Sequence, residues 1–117
     1  VWDVDVELVS EWLESLDAAS LVQVIAALQI LQEQGPALGR PLVDTVAASR
    51  HRNMKELRPG SSGRSELRIL FAFDPARSAI FLLGGDKSGD WDRWYKKNIP
   101  LADDLFDEHI QKLQEGK

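Results

Sequence analysis

Glu56 and Arg58 stand two residues apart in N-M-K-E-L-R-P, and Arg68 stands in S-E-L-R-I-L-F-A-F-D. If the first stretch is a strand, that spacing puts Glu56 and Arg58 on one face. The Gly/Ser run between Pro59 and Gly63 reads as a loop, and hairpin pairing across it brings Arg68 beside Arg58. Arginine keeps its proton up to a pKa of roughly 12, so these two side chains can clamp an anion but cannot move protons. Glu56 can act as a base, although flanking arginines would lower its pKa and weaken it. The G-G-D-K stretch ending at Lys87 follows, and the set is a candidate site for a polyanion. The alternative is that the same three side chains form an ordinary cross-strand ion-pair ladder, with about 0.2 to 1 kcal/mol per pair.

The elements that must position these groups are legible as periodicities. From Glu66 to Asp74, Leu67, Ile69, Phe71 and Phe73 alternate with Glu66, Arg68, Leu70, Ala72 and Asp74, which predicts a strand with the first set on the core face. Asp74-Pro75-Ala76-Arg77 has turn chemistry, so Ala79 to Leu83 returns antiparallel, and its apolar character on both faces suggests a central position. At the other end, Trp2, Val4, Val6 and Leu8 alternate with Asp3, Asp5, Glu7 and Val9, as in an edge strand. Ser10 is a candidate N-cap for a short helix with Trp12, Leu13 and Leu16. Ala18 to Gln34 carries Leu21, Val24, Ile25, Leu28 and Leu31 at helical spacing and stops at Gly35-Pro36. Leu42 to Ser49 can be a short helix or a strand, and reads best as a turn leading into the first central strand. A last helix is predicted over Leu101 to Leu113, with Phe106, Ile110 and Leu113 inward. The fold class is α+β: a small, mostly antiparallel sheet with N-terminal helices packed on one face and a C-terminal helix.

At 117 residues, the chain is expected to form a single domain over 1–117. No run approaches the roughly 18 apolar residues of a membrane span, and the start lacks a basic, then apolar, leader. A soluble, cytoplasmic protein with no membrane partner is the expectation. With no cysteine and only His51 and His109, no metal site and no cofactor are expected. The net charge of −5 hides a segregation: residues 1–39 sum to −7, 40–68 to +4 and 69–117 to −2. The middle segment is a basic island holding Arg50, Arg52, Lys55 and Arg64 besides Arg58 and Arg68. Local charge, not the total, draws an anionic partner, so nucleic acid is not excluded. D-W-D-R-W-Y-K-K (90–97) interleaves Trp91, Trp94, Lys96 and Lys97 around Tyr95; such aromatics either stack on unpaired bases or anchor a helix on a sheet.

N-M-K-E-L-R-P, E-L-R-I-L-F-A-F-D-P and G-G-D-K-S-G-D-W-D-R-W-Y together resemble the RelE/ParE superfamily of toxins from type II toxin–antitoxin systems, nearest to its HigB-like branch. The resemblance implies a compact α+β domain with helices on one face of the sheet and a concave active-site face opposite. It also implies metal-independent cleavage of messenger RNA on the ribosome and silencing by a cognate antitoxin, usually one with a helix-turn-helix domain. Operator DNA would be met only through that antitoxin. By position, Arg58, Arg68, Glu56, Lys87 and Tyr95 are the implied catalytic residues. Arg50, Arg52, Lys55, Arg64, Trp91, Trp94, Lys96 and Lys97 are the candidate RNA contacts. RNA cleavage by its own 2′-hydroxyl needs a base, cations for the crowded phosphorus and an acid for the leaving oxygen. Glu56 is the simplest base, and Lys87 or Tyr95 would be the acid. The same resemblance leaves open a ParE-like inhibitor of DNA gyrase and a catalytically silent antitoxin-binding protein.

Overall fold

The computed structural model describes residues 1–60 and 66–116, and its sheet is built around the two strands with the most continuous apolar sequence. These are β4 (Leu67–Phe73) and β5 (Ser78–Asp86), paired antiparallel. Their neighbours are β1 (Asp3–Asp5), β2 (Val43–Thr45) and β3 (Met54–Leu57), in the order β1-β5-β4-β3-β2. Only β1 runs parallel to its partner. Phe71 stacks on Phe81 at 4.6 Å, and the edge of Phe73 meets Phe71 at 5.4 Å and Trp2 at 5.1 Å. This aromatic row fills the interior between the sheet and two helices, α1 (Ser10–Glu14) and α2 (Ala18–Gln34). Truncating a ring like Phe71 to alanine costs about 3–5 kcal/mol.

The other face of the sheet is not open. Leu70 and Ala72, expected on the non-core side, are fully buried together with Met54, Ile80 and Leu82. They pack under α3 (Trp91–Glu115), whose Ile99, Ala102 and Phe106 form the second core. The concave face implied by the resemblance is therefore roofed along its middle by α3, and a cleft lined by Glu56 and Arg58 opens at its rim. α3 begins ten residues before the predicted helix because Asp90 caps it, accepting from Arg93 N at 3.1 Å. Pro100 lies inside it.

A bulge sets which side chains face which layer. Leu70 pairs with Leu83 but Phe71 with Phe81, so β5 carries one extra residue and its alternation changes phase. Beyond it, Gly84 and Gly85 each seat an indole on opposite faces. A Cβ on Gly84 would lie 2.5 Å from the Trp12 ring, and one on Gly85 would lie 2.5 Å from Trp94 Nε1. The two glycines thus clamp α1 and α3 onto the same point of the sheet.

Other expectations are corrected. The N-terminal alternation ends at Asp5: Leu8 is exposed and Val9 is buried, because the chain turns into a short 3-10 segment at Glu7–Val9. Ser10 does not cap; its hydroxyl donates to Glu7 O at 3.0 Å, and the residue already lies inside α1. Asp17 caps α2 instead, accepting from Ser20 N at 3.3 Å. Ile25 is exposed while Ala27 is buried. The Leu42–Ser49 stretch contains β2 rather than only a turn. Among the described residues no helix is long and apolar enough to cross a membrane.

Candidate functional site

Strand alternation puts Met54 and Glu56 on the α3 side, where Met54 is sealed in the core and Glu56 lies at its rim, 4 % exposed. The cross-strand register sets Asp44 on one side of Glu56 and Leu70 on the other. Arg58 follows the strand and stays in its line, because its N–H donates to Leu42 O at 2.7 Å. Its guanidinium then folds back: Nε donates to Glu56 Oε1 at 2.7 Å, and Nη2 to Asp44 Oδ2 at 3.1 Å. Arg68, opposite Gly85, approaches the same carboxylate with Nε 3.8 Å from Glu56 Oε1. That is ion-pair range but beyond hydrogen-bond reach. Arg68 Nη1 donates to Leu67 O at 2.7 Å, while the buried Nε has no hydrogen-bond partner among the described residues.

α3 supplies the remaining wall. Burial first, then hydrogen bonding to Glu56, pushes the Tyr95 hydroxyl up to about 12, against the opposing effect of Arg68. Tyr95 is therefore a proton donor at any ordinary pH. Lys87 is delivered by a turn in which Asp86 accepts from Glu66 N and Ser88 N, each at 2.9 Å. Its Nζ sits 5.6 Å from the Trp91 ring and 5.7 Å from the Tyr95 ring, with no carboxylate paired to it among the described residues. Asp44, Glu56, Arg58, Lys87, Trp91 and Tyr95 line one open cleft of about 370 Å³, together with Ala47 and Ala48.

The structure thus gathers Glu56, Arg58, Lys87 and Tyr95 in one cleft, with Arg68 beside Glu56. Asp44 was not singled out from sequence, because the strand carrying it was not; a hydrogen bond from Arg40 holds its carboxyl below the usual range. The proposed RNA contacts are scattered. Trp91 is exposed beneath Lys87. Trp94 instead packs over Gly85, its ring edge-on to Tyr95 at 5.2 Å. Arg50 is caged by Asp103, Asp104 and Asp107, with 2.8 Å to Asp104. Hydrogen bonds to Asp104 and Asp107 hold its pKa still further above the ordinary arginine value. Lys55 alternates away from Glu56 and donates to Thr45 Oγ1 at 2.9 Å. Lys96 pairs with Asp92 at 3.3 Å, and Lys97 lines a separate hollow with Asp86 and Asp90. Arg52 is exposed with no ion pair among the described residues, and Arg64 lies outside them.

Neither histidine reaches the cleft: His51 meets Asp107 at 2.7 Å, and His109 meets the buried Asp74 at 2.8 Å. No group of three or more His, Asp or Glu among the described residues is arranged to hold a metal ion.

Comparison with known proteins adds a family to this geometry. The family described as "Phage derived protein Gp49-like (DUF891)" matches residues 11–107. Two Mycobacterium tuberculosis (strain ATCC 25618 / H37Rv) proteins are also similar. One, named as toxin HigB2, is 58% identical over 116 residues, which is 99% of this chain and 58% of that protein. The other, named as toxin HigB3, is 54% identical over 95 residues, 81% of each. The chain therefore spans little more than half the length of the first of these relatives.

Proposed function

The chain belongs to the Gp49-like family of phage-derived proteins, and from that premise we propose that it is a HigB-type toxin of a toxin–antitoxin system. The proposed activity is metal-independent cleavage of messenger RNA on the ribosome, in a RelE-like manner, held in check by a cognate antitoxin with a helix-turn-helix domain. The observation that carries this reading is the convergence of Arg58 and Arg68 on the buried Glu56, beside a cleft that Lys87 also lines.

Glu56 arrives fully engaged, so the site works by exchange. A substrate phosphate draws the partly exposed Arg58 away from Oε1 and takes its fork. The freed carboxylate oxygen accepts the proton of the neighbouring 2′-hydroxyl, and the 2′-oxygen bonds to phosphorus. Arg68 stays behind Glu56, and with Arg58 it offsets the charge that builds on the phosphorane oxygens. As the bond from phosphorus to the 5′-oxygen breaks, Lys87 gives that oxygen its proton. The products are a 2′,3′-cyclic phosphate and a free 5′-hydroxyl. Tyr95, protonated, keeps Glu56 in place.

The test is growth and messenger-end mapping on expression of wild type and Arg58→Ala, beside a DNA supercoiling assay. Growth arrest with new 5′-hydroxyl ends, both lost in Arg58→Ala, is expected. Arrest with intact messenger and inhibited supercoiling would instead favour the gyrase-directed alternative.

A further inference from the structure

α2 packs inward through Ser20, Val24, Ala27 and Leu31, a buried seam at spacings of four, three and four. A second seam runs along its outer side: Ala18, Val22, Ile25, Gln29 and Gln32, at spacings of four, three, four and three, are all exposed. Val22 is 63 % exposed and Ile25 46 %. No charged side chain interrupts residues 18–32, whereas the outer side of a surface helix ordinarily carries charge. Alternating spacings of four and three are those at which one helix receives the side chains of another. The 17 residues of α2 offer such a partner about five turns.

The charge around this seam selects the partner. Residues 1–39 carry seven carboxylates and no lysine or arginine, and all seven are exposed. None of them has an ion-pair partner among the described residues. Asp17 and Glu33 stand at the two ends of the seam. A second copy of the chain is thereby disfavoured, because two α2 helices, parallel or antiparallel, would set carboxylate against carboxylate at both ends. An amphipathic helix whose apolar stripe is flanked by lysine and arginine satisfies both the seam and its charge.

Resting on the toxin–antitoxin reading above, we infer that the outer side of α2 is the docking surface for the cognate antitoxin, which lays a basic amphipathic helix along Val22 and Ile25. The sheet separates this surface from the cleft, since α2 covers the face that carries Phe71 and α3 the face that carries Met54 and Glu56. A helix docked there leaves Glu56 and Arg58 uncovered. It acts by bulk, keeping a substrate as large as the ribosome away from the chain.

The experiment uses the full chain and two synthetic helices of about 21 residues that share a leucine stripe at heptad positions. Their flanks differ, lysine in one and glutamate in the other. Methyl NMR follows Val22, Ile25 and, in the cleft, Ala48. The expected result is that the lysine peptide shifts Val22 and Ile25, leaves Ala48 still, and binds at least about tenfold more tightly than its glutamate twin. Val22→Lys/Ile25→Lys, at two exposed positions, should keep the wild-type melting temperature and lose that binding. In a host without the antitoxin, this double variant should arrest growth as wild type does. Placed in the chromosomal copy of the organism that encodes the chain, beside the antitoxin, it should arrest growth where wild type does not, and adding Arg58→Ala should restore growth. Silent Val22 and Ile25 methyls, a glutamate peptide that binds as well as the lysine one, or a toxic double variant as well tolerated as wild type beside the antitoxin overturns the docking surface. So does a wild-type dimer that the double variant breaks. Shifted methyls with a wild type harmless in the host without antitoxin remove the toxin reading and leave α2 as a surface for a basic helix.

Discussion

Removing Glu56 tests whether one buried carboxylate holds the site together. In the native protein it lies between two guanidiniums, 2.7 Å from Arg58 Nε and 3.8 Å from Arg68 Nε, and the Arg68 side chain is only 14 % exposed. At an effective dielectric of about 20, unit charges 3.8 Å apart attract by about 4 kcal/mol. Glu56→Ala forfeits that attraction and leaves Arg68 buried without a counter-charge, a change that costs about 3–5 kcal/mol. The Arg58 bond adds less, since that side chain is a third exposed and water takes over. Against a total stability of about 5–15 kcal/mol, the loss should lower the melting temperature by more than about 10 °C. Urea titration followed by tryptophan fluorescence, with thermal melting, measures it. Glu56→Ala/Arg68→Met should recover a large part of the loss, because it removes the stranded charge while keeping the packing. A Glu56→Ala protein within about 1 kcal/mol of wild type, or a double variant no better than the single, would refute the reasoning.

Lys87→Met should leave melting unchanged and reduce single-turnover cleavage by about 10² or more, since a proton donor contributes about 10²–10⁴-fold. RNA binding should depend on salt with a slope of about −2, about −0.7 for each of three phosphate contacts on a single strand (Arg52, Lys87 and the exchanging Arg58), and not with the steeper slope of a site that uses every arginine and lysine of the basic island. Asp44 and Asp107 have lowered carboxyl pKa values, through hydrogen bonds from Arg40 and Arg50 respectively, so the stability they contribute is present above about pH 4 and is lost as pH falls through the lowered folded values. Asp107→Asn should flatten that acid limb of the melting curve. Tyr95 has the opposite sign: the unfolded chain ionises near pH 10 and the folded one at about 12, so stability drops across that interval and Tyr95→Phe removes the drop. Gly85→Ala should destabilise the fold and perturb Trp94 fluorescence, because the new Cβ meets the indole.

The sequence made β4 and α2 readable because each carries a periodicity over seven or more residues, and β5 readable because an apolar run follows the turn chemistry of Asp74–Arg77. Where the period fails, so did the reading. Leu8 and Val9 exchange faces when the strand gives way to a 3-10 turn, which no alternation can foretell. Leu70 and Ala72 looked solvent-facing beside Arg68 because one strand can serve both a core and a site along the same face. α3 hid its first ten residues behind Pro100 and a mixed aromatic and basic composition, so although the predicted helix placed Phe106 inward, its packing against the second face of the sheet was not foreseen.

Spacing of two and turn chemistry singled out Glu56, Arg58, Arg68 and Lys87 and the resemblance added Tyr95, but the electrostatics around them were misread. Segment totals count charges along the chain, whereas pairing occurs across it. Arg50 meets carboxylates 53 to 57 residues away on α3, and Arg58 meets Asp44 fourteen residues back. The basic island is therefore partly neutralised at short range: Arg40, Arg50, Arg58 and Arg68 have carboxylate partners, whereas Arg52 and Lys55 have none among the described residues. On the proposed RNA-cleaving reading, recognition rests on exchange more than on long-range attraction: a phosphate offers Arg58 a better bidentate partner than Glu56 and Asp44 together, and Glu56 is released as the base by the same event. Substrate binding and activation of the base would then be one step, and an anion too poor to displace Glu56 would leave the proposed site switched off.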